Sequence, residues 1–81
     1  MNAITSNNVY IGYQAGQDSA APNGGDGNVM IGFQAGKDSN TSNKLYIDNS
    51  NTSTPLIYGD FATNALTING GLTVTGSVSL P

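Results

Sequence analysis

The chain has no cysteine, histidine or tryptophan. Arginine and glutamate are also missing: the only bases are Lys37 and Lys44, and all five acids are aspartates. Without cysteine, no disulfide can staple an 81-residue fold. Without histidine, the commonest transition-metal ligand and the commonest acid–base catalyst at neutral pH are gone. Charge is scarce, at 9% of residues against about 25% in ordinary soluble domains. A net charge of −3 offers little to nucleic acid, which demands a basic face, or to an anionic membrane surface. No apolar run approaches the ~20 residues that span a bilayer, so membrane insertion is not expected. Residues Met1-Asn2-Ala3-Ile4-Thr5 lack the basic and apolar regions of a secretory signal.

These absences bear on stability. A domain of this length buries only roughly 60% of its unfolded surface when it folds alone. Small folds therefore rely on disulfides, metals or partner chains. With the first excluded and the second short of ligands, oligomerisation is the device that remains.

What is present is a repeat. Residues 8–19 read Asn-Val-Tyr-Ile-Gly-Tyr-Gln-Ala-Gly-Gln-Asp-Ser, and residues 28–39 read Asn-Val-Met-Ile-Gly-Phe-Gln-Ala-Gly-Lys-Asp-Ser. Nine of the twelve positions are identical, and the copies lie 20 residues apart. A third, degenerate copy follows at 43–50, with one residue inserted. Self-similarity at such a period is the signature of stacked, quasi-one-dimensional architecture. Within each copy Val9/Val29, Ile11/Ile31, Tyr13/Phe33 and Ala15/Ala35 alternate with the residues between them. A period of two predicts strands with one face toward a core. Residues 19–27 hold Pro22, Asn23, Asp26 and three glycines, and read as a loop.

Leu56–Gly59 is a further short strand, and from Leu66 the alternation is clean. Leu66, Ile68, Leu72, Val74, Val78 and Leu80 occupy even positions, and Thr or Ser fill most odd ones. No stretch carries a helical period. The chain is expected to be all-β, with a repeat segment over 1–50 and a Thr/Ser/Gly-rich strand segment over 51–81. The predicted buried stripes, to be covered by neighbouring strands or by partner chains meeting at an axis, are Val9, Ile11, Val29, Ile31, Leu45, Ile47, Leu66, Ile68, Leu72 and Val74. Tyr13 and Phe33 share their parity and are expected to be packed. Tyr10 and Met30 have the opposite parity, which leaves them exposed or buried against another chain. Tyr10, Tyr46 and Tyr58, with Asn23 and Asp26 in the loop, are the candidate ligand or receptor contacts.

Catalysis finds little support. Five aspartates could supply a carboxylate pair of the glycosidase kind, but each sits beside Gly, Asn or Ser in a turn-like context. With no His, Cys or Glu, no nucleophile–base set is apparent, and the chain is read as a non-enzyme without a cofactor. The run Gly24-Gly25-Asp26-Gly27-Asn28 resembles the turns of calcium-binding β-rolls, which makes Asp18, Asp26 and Asp38 weak calcium candidates. Those turns need several tandem copies, and this chain has one imperfect copy.

The NVYIGYQAG and NVMIGFQAG units resemble the Ile-Gly-x-x-Ala-Gly repeats of trimeric phage tail fibres and of the heads of trimeric autotransporter adhesins. The stretch from Asn43 to Phe61, and the ALTINGGLTVTGSVSL run after it, are similar to segments that precede a C-terminal chaperone domain in such proteins. This resemblance implies short-strand β-roll or β-helix-like repeats in an intertwined homotrimer. It also implies a structural role in assembly and host attachment at a virion or extracellular surface. The alternatives are a self-assembling extracellular filament and a receptor-recognition tip that binds host cell-surface glycans.

Overall fold

A computed structural model describes residues 7–17 and 25–81. Asp18 and Asn23 lie outside the described residues. Five strands follow in chain order: β1 Val9–Ile11, β2 Val29–Ile31, β3 Lys44–Ile47, β4 Ile57–Asp60 and β5 Ala65–Ile68. They form one open sheet in the order β1-β2-β3-β4-β5. The first three strands are parallel, and β4 and β5 join antiparallel. No helix occurs among the described residues. The all-β expectation therefore holds as an open, mixed, five-stranded sheet.

Three columns of side chains run across this sheet, read from the pairing register. Val9, Val29, Leu45, Gly59 and Leu66 are neighbours in one, and Ile11, Ile31, Ile47, Ile57 and Ile68 in another. Between them, on the opposite face, lie Tyr10, Met30, Tyr46, Tyr58 and Thr67. The core forms on this middle column. Met30 and Ala35 are fully buried and Tyr46 nearly so, with Tyr10 and Tyr58 packed against them. The Tyr46 and Tyr58 rings meet edge to face, 5.5 Å apart.

The buried face is thus the reverse of the one the alternation suggested. Parity fixes which residues share a face, but not which face is covered. The covering is done by the turns after β1 and β2. Each strand ends at a glycine with positive φ, Gly12 at +126° and Gly32 at +122°. Two successive turns follow in each copy. Ala15 N donates to Gly12 O and Gln17 N to Gln14 O, and Ala35 N and Lys37 N repeat both bonds. Gln14 and Gln34 take the left-handed conformation, at φ 59° and 58°. The chain is thereby folded back over the middle column. A side chain on Gly16 would collide with the Tyr10 ring, and one on Gly36 with Met30 Sδ. The Ala-Gly of each repeat is therefore the lid of the core, and its small size sets how closely the lid closes.

The same turns correct a second expectation. Tyr13 and Phe33 do not continue the strands. They sit on the outside of the turns, exposed, and stack on each other at 5.7 Å with ring planes 11° apart.

The two repeats lie directly over one another. Gln34 N donates to Tyr13 O and Gly16 N to Ala35 O, both between the turns, while Gln34 Nε2 reaches Gln14 Oε1 at 2.7 Å. At the other end of the strands the leading asparagines form a ladder. Asn8 Oδ1 accepts from Asn28 N at 2.8 Å, and Asn28 Oδ1 accepts from Lys44 N at 3.0 Å. Asn8 Nδ2 and Asn28 Nδ2 donate to the carbonyls of Gly25 and Thr41. Lys44, not Asn43, occupies the position that follows Asn28 in the stack. Asn43 is instead the equivalent of Asn7 and Gly27, and all three take positive φ, at 60°, 62° and 71°.

Candidate functional site

Two surfaces stand out once the sheet is drawn. The first is the aliphatic face carrying the two outer columns. Val, Ile and Leu are stiff or compact side chains that suit a pleated surface, and ten positions of this face include five isoleucines. At the ends of the columns Ile11 is 56% exposed and Leu66 66%. The central Val29, Ile31, Leu45, Ile47, Ile57 and Ile68 are half-buried. Leu56, itself half-exposed, joins Ile31 and Ile47 around a shallow depression of about 420 Å³, with Asp48 and Asn49 on its rim. Nothing in this set of side chains can donate or accept a proton, so the face is fitted for apolar contact alone.

The second surface is a polar cleft of about 250 Å³ between the segments 36–41 and 51–53, with Tyr46 at its base. Asn51 Nδ2 donates to Asp38 Oδ2 at 2.7 Å across it, and Lys37 Nζ stands 3.7 Å from the other carboxylate oxygen. Ser39 Oγ donates to the Tyr46 hydroxyl at 3.3 Å and shares a 2.8 Å bond with Thr41 Oγ1. These groups offer hydroxyl and amide chemistry, with Asp38 as a hydrogen-bond acceptor.

Two other aspartates hold the fold. Asp48 accepts from Leu56 N at 2.7 Å and Ser50 Oγ at 2.9 Å, which pins both ends of the 49–55 connection. The Leu56 amide, then Ser50, lower the Asp48 pKa below its ordinary value of 3.8. At Asp60, partial burial acts to raise the pKa, but the Ala62 amide and the Lys44 ammonium, at 3.6 Å, outweigh it and the net shift is downward. Both carboxylates sit where strands begin or end, and neither faces the polar cleft.

The sequence candidates separate on this framework. Tyr10, Tyr46 and Tyr58 come together, but in the core under the turns, where Tyr46 is 7% exposed. Tyr46 also lines the polar cleft. Asp26 precedes β2, where its backbone oxygen accepts from Asn43 N, and Asp38 follows the turn at the other end of that strand. They are not brought together. Among the described residues no group of three or more acidic, His or Cys side chains could hold a metal. Sequence reasoning missed the Asn8–Asn28 ladder, although the asparagine leading each copy was its signal. It also missed Ser39 and Asn51, whose approach depends on the path of the 49–55 connection and has no signal in the sequence.

No protein family, curated protein or solved structure matches the chain.

Proposed function

We propose that this chain is a structural module that works by self-association: a segment of a homotrimeric fibre, of the tail-fibre or surface-adhesin kind, that serves assembly and attachment outside the cell or on a virion. In this reading the parallel β1–β3 stack is a short β-roll, and the aliphatic faces of three copies meet on a common axis. The observation that carries it is the open aliphatic face. The middle column is covered by the chain's own turns, whereas among the described residues nothing of comparable size covers the two outer columns.

Burying that face against partner chains is worth on the order of 25 cal/mol per Å² of apolar surface. Native mass spectrometry tests the reading. A species of three chains, about 25 kDa from 3 × 8.3 kDa, is expected. A spectrum holding only folded single chains overturns it, and filaments in electron micrographs favour the open-filament alternative over a closed trimer.

The polar cleft favours a second reading, in which the same scaffold recognises a host cell-surface glycan. Asp38, Asn51 and the Ser and Thr hydroxyls have the hydrogen-bonding chemistry that sugars need. A glycan array decides it: binding abolished by Asp38→Ala and Asn51→Ala supports the tip, and an array without signal leaves the plain shaft. Neither reading needs catalysis, a cofactor, nucleic acid or membrane insertion.

A further inference from the structure

We infer that the segment after Asn69 is a donor strand, which pairs with the open edge of β5 in a second copy of this chain. This deepens the self-association reading and rests on it. Three features of the structure carry it.

The first is an open edge. β5 is the last strand of the sheet, and Ala65, Leu66 and Thr67 on it are exposed. Its outer row of amides and carbonyls is available for pairing, and an edge of this kind templates another strand unless charge or a bulge protects it. β5 has no charged residue.

The second feature is an unpaired strand. Residues 71–81 are exposed throughout and belong to no element. Leu72 is 72% exposed and Leu80 81%. A Cβ placed on Gly71 or Gly76 would meet no atom within 4 Å. Yet the segment keeps strict alternation, with Leu72, Val74, Val78 and Leu80 on one side and Thr or Ser on the other. Added beside β5, its apolar side would extend the column of Leu66 and Ile68, and its hydroxyl side the column of Thr67. A segment of about ten residues reaches roughly 33 Å extended, against about 13 Å for the four residues of β5. It can cover the whole edge of a neighbour with length to spare.

The third feature is a sharp boundary between the two. Asn69 is held firmly: its N donates to Leu56 O at 2.9 Å and its Nδ2 to Pro55 O at 2.8 Å. Gly70 and Gly71 follow at once. Asn-Gly between alternating segments is a strong signal for a tight hairpin, and a two-residue loop at Asn69-Gly70 would lay residues 71–74 on β5 of the same chain. The chain does not take that course, so edge and strand are both left open on one molecule. Reciprocal exchange satisfies both, and it closes into a ring when three copies each give one segment and receive one.

Amide hydrogen exchange on the full chain across a dilution series, with mass measured on the same samples, tests the inference. The expected result is slow exchange at 66–68 and 71–74 in the concentrated oligomer, lost together as dilution yields monomers. Thr73→Pro, which removes a ladder donor from an exposed residue, should release both segments at every concentration. Protection of 71–74 that persists unchanged in monomers means the hairpin forms within one chain and overturns the inference. An oligomer whose residues 71–74 exchange freely overturns it too, but leaves the aliphatic-face association standing. A chain that stays monomeric at all concentrations with free exchange there overturns both.

Discussion

The Ala-Gly pair of each repeat shows how much a single residue decides in this protein. Gly16 and Gly36 have φ of +63° and +64°, and each presses its backbone onto the side chain it covers, Tyr10 or Met30. A methyl group at either position has both a disfavoured conformation and an occupied space. Gly36→Ala should cost more than about 1 kcal/mol, the bound for an incompatible backbone alone, and it should exceed Gly71→Ala, whose site is open. Urea unfolding followed by circular dichroism checks the difference. Asn28 is the polar counterpart. It is fully buried, and its amide serves Lys44 N and Thr41 O together. Asn28→Ala leaves a buried donor and acceptor without their partner, at about 1–3 kcal/mol each. The same denaturation experiment should place it well below the exposed Asn40→Ala.

At the scale of elements, Asp48 and Asp60 brace the reversal from parallel to antiparallel pairing. Asp48 clamps the 49–55 connection, and Asp60 ties β4 to Lys44 on β3. Both pKa values are lowered on folding. The folded state therefore binds these protons less readily than the unfolded chain, so the stability they contribute is fully present above the unfolded value near 3.8 and is lost as pH falls below it. Urea midpoints should be flat above about pH 5 and decline below pH 4, and Asp48→Asn should flatten that acid limb. An unchanged limb in the variant would remove Asp48 from the account. The elements themselves were largely legible: strands around Val9, Val29, Leu45, Ile57 and Leu66 follow from alternation and the repeat. Which face is core was not legible, because Val/Ile and Tyr/Met columns are both apolar and only the positive-φ turns choose between them. For the same reason Tyr13 and Phe33 read as core and stand outside. The polar cleft was half legible, through Asp38 and Tyr46. The other half, Asn51, comes from a connection that no local pattern predicts.

Over the whole molecule the fold is extended, 43 × 24 × 17 Å with a radius of gyration of 13.5 Å, where a compact chain of this length has about 12 Å. The central claim is that the outer columns of Val, Ile and Leu are an interface between copies. It predicts that Ile47→Lys, at the middle of the face, abolishes association and leaves the Tyr/Met core and the strand signal in circular dichroism intact. A charge buried without a partner is expensive, so the effect on assembly should be complete at micromolar concentration. Sedimentation equilibrium of the full chain beside Ile47→Lys is the most direct measurement. The account predicts about 25 kDa, three times 8.3 kDa, for the first and a folded single chain for the second. A full chain that sediments as a folded 8.3 kDa monomer, or a variant that still assembles like the parent, would contradict it.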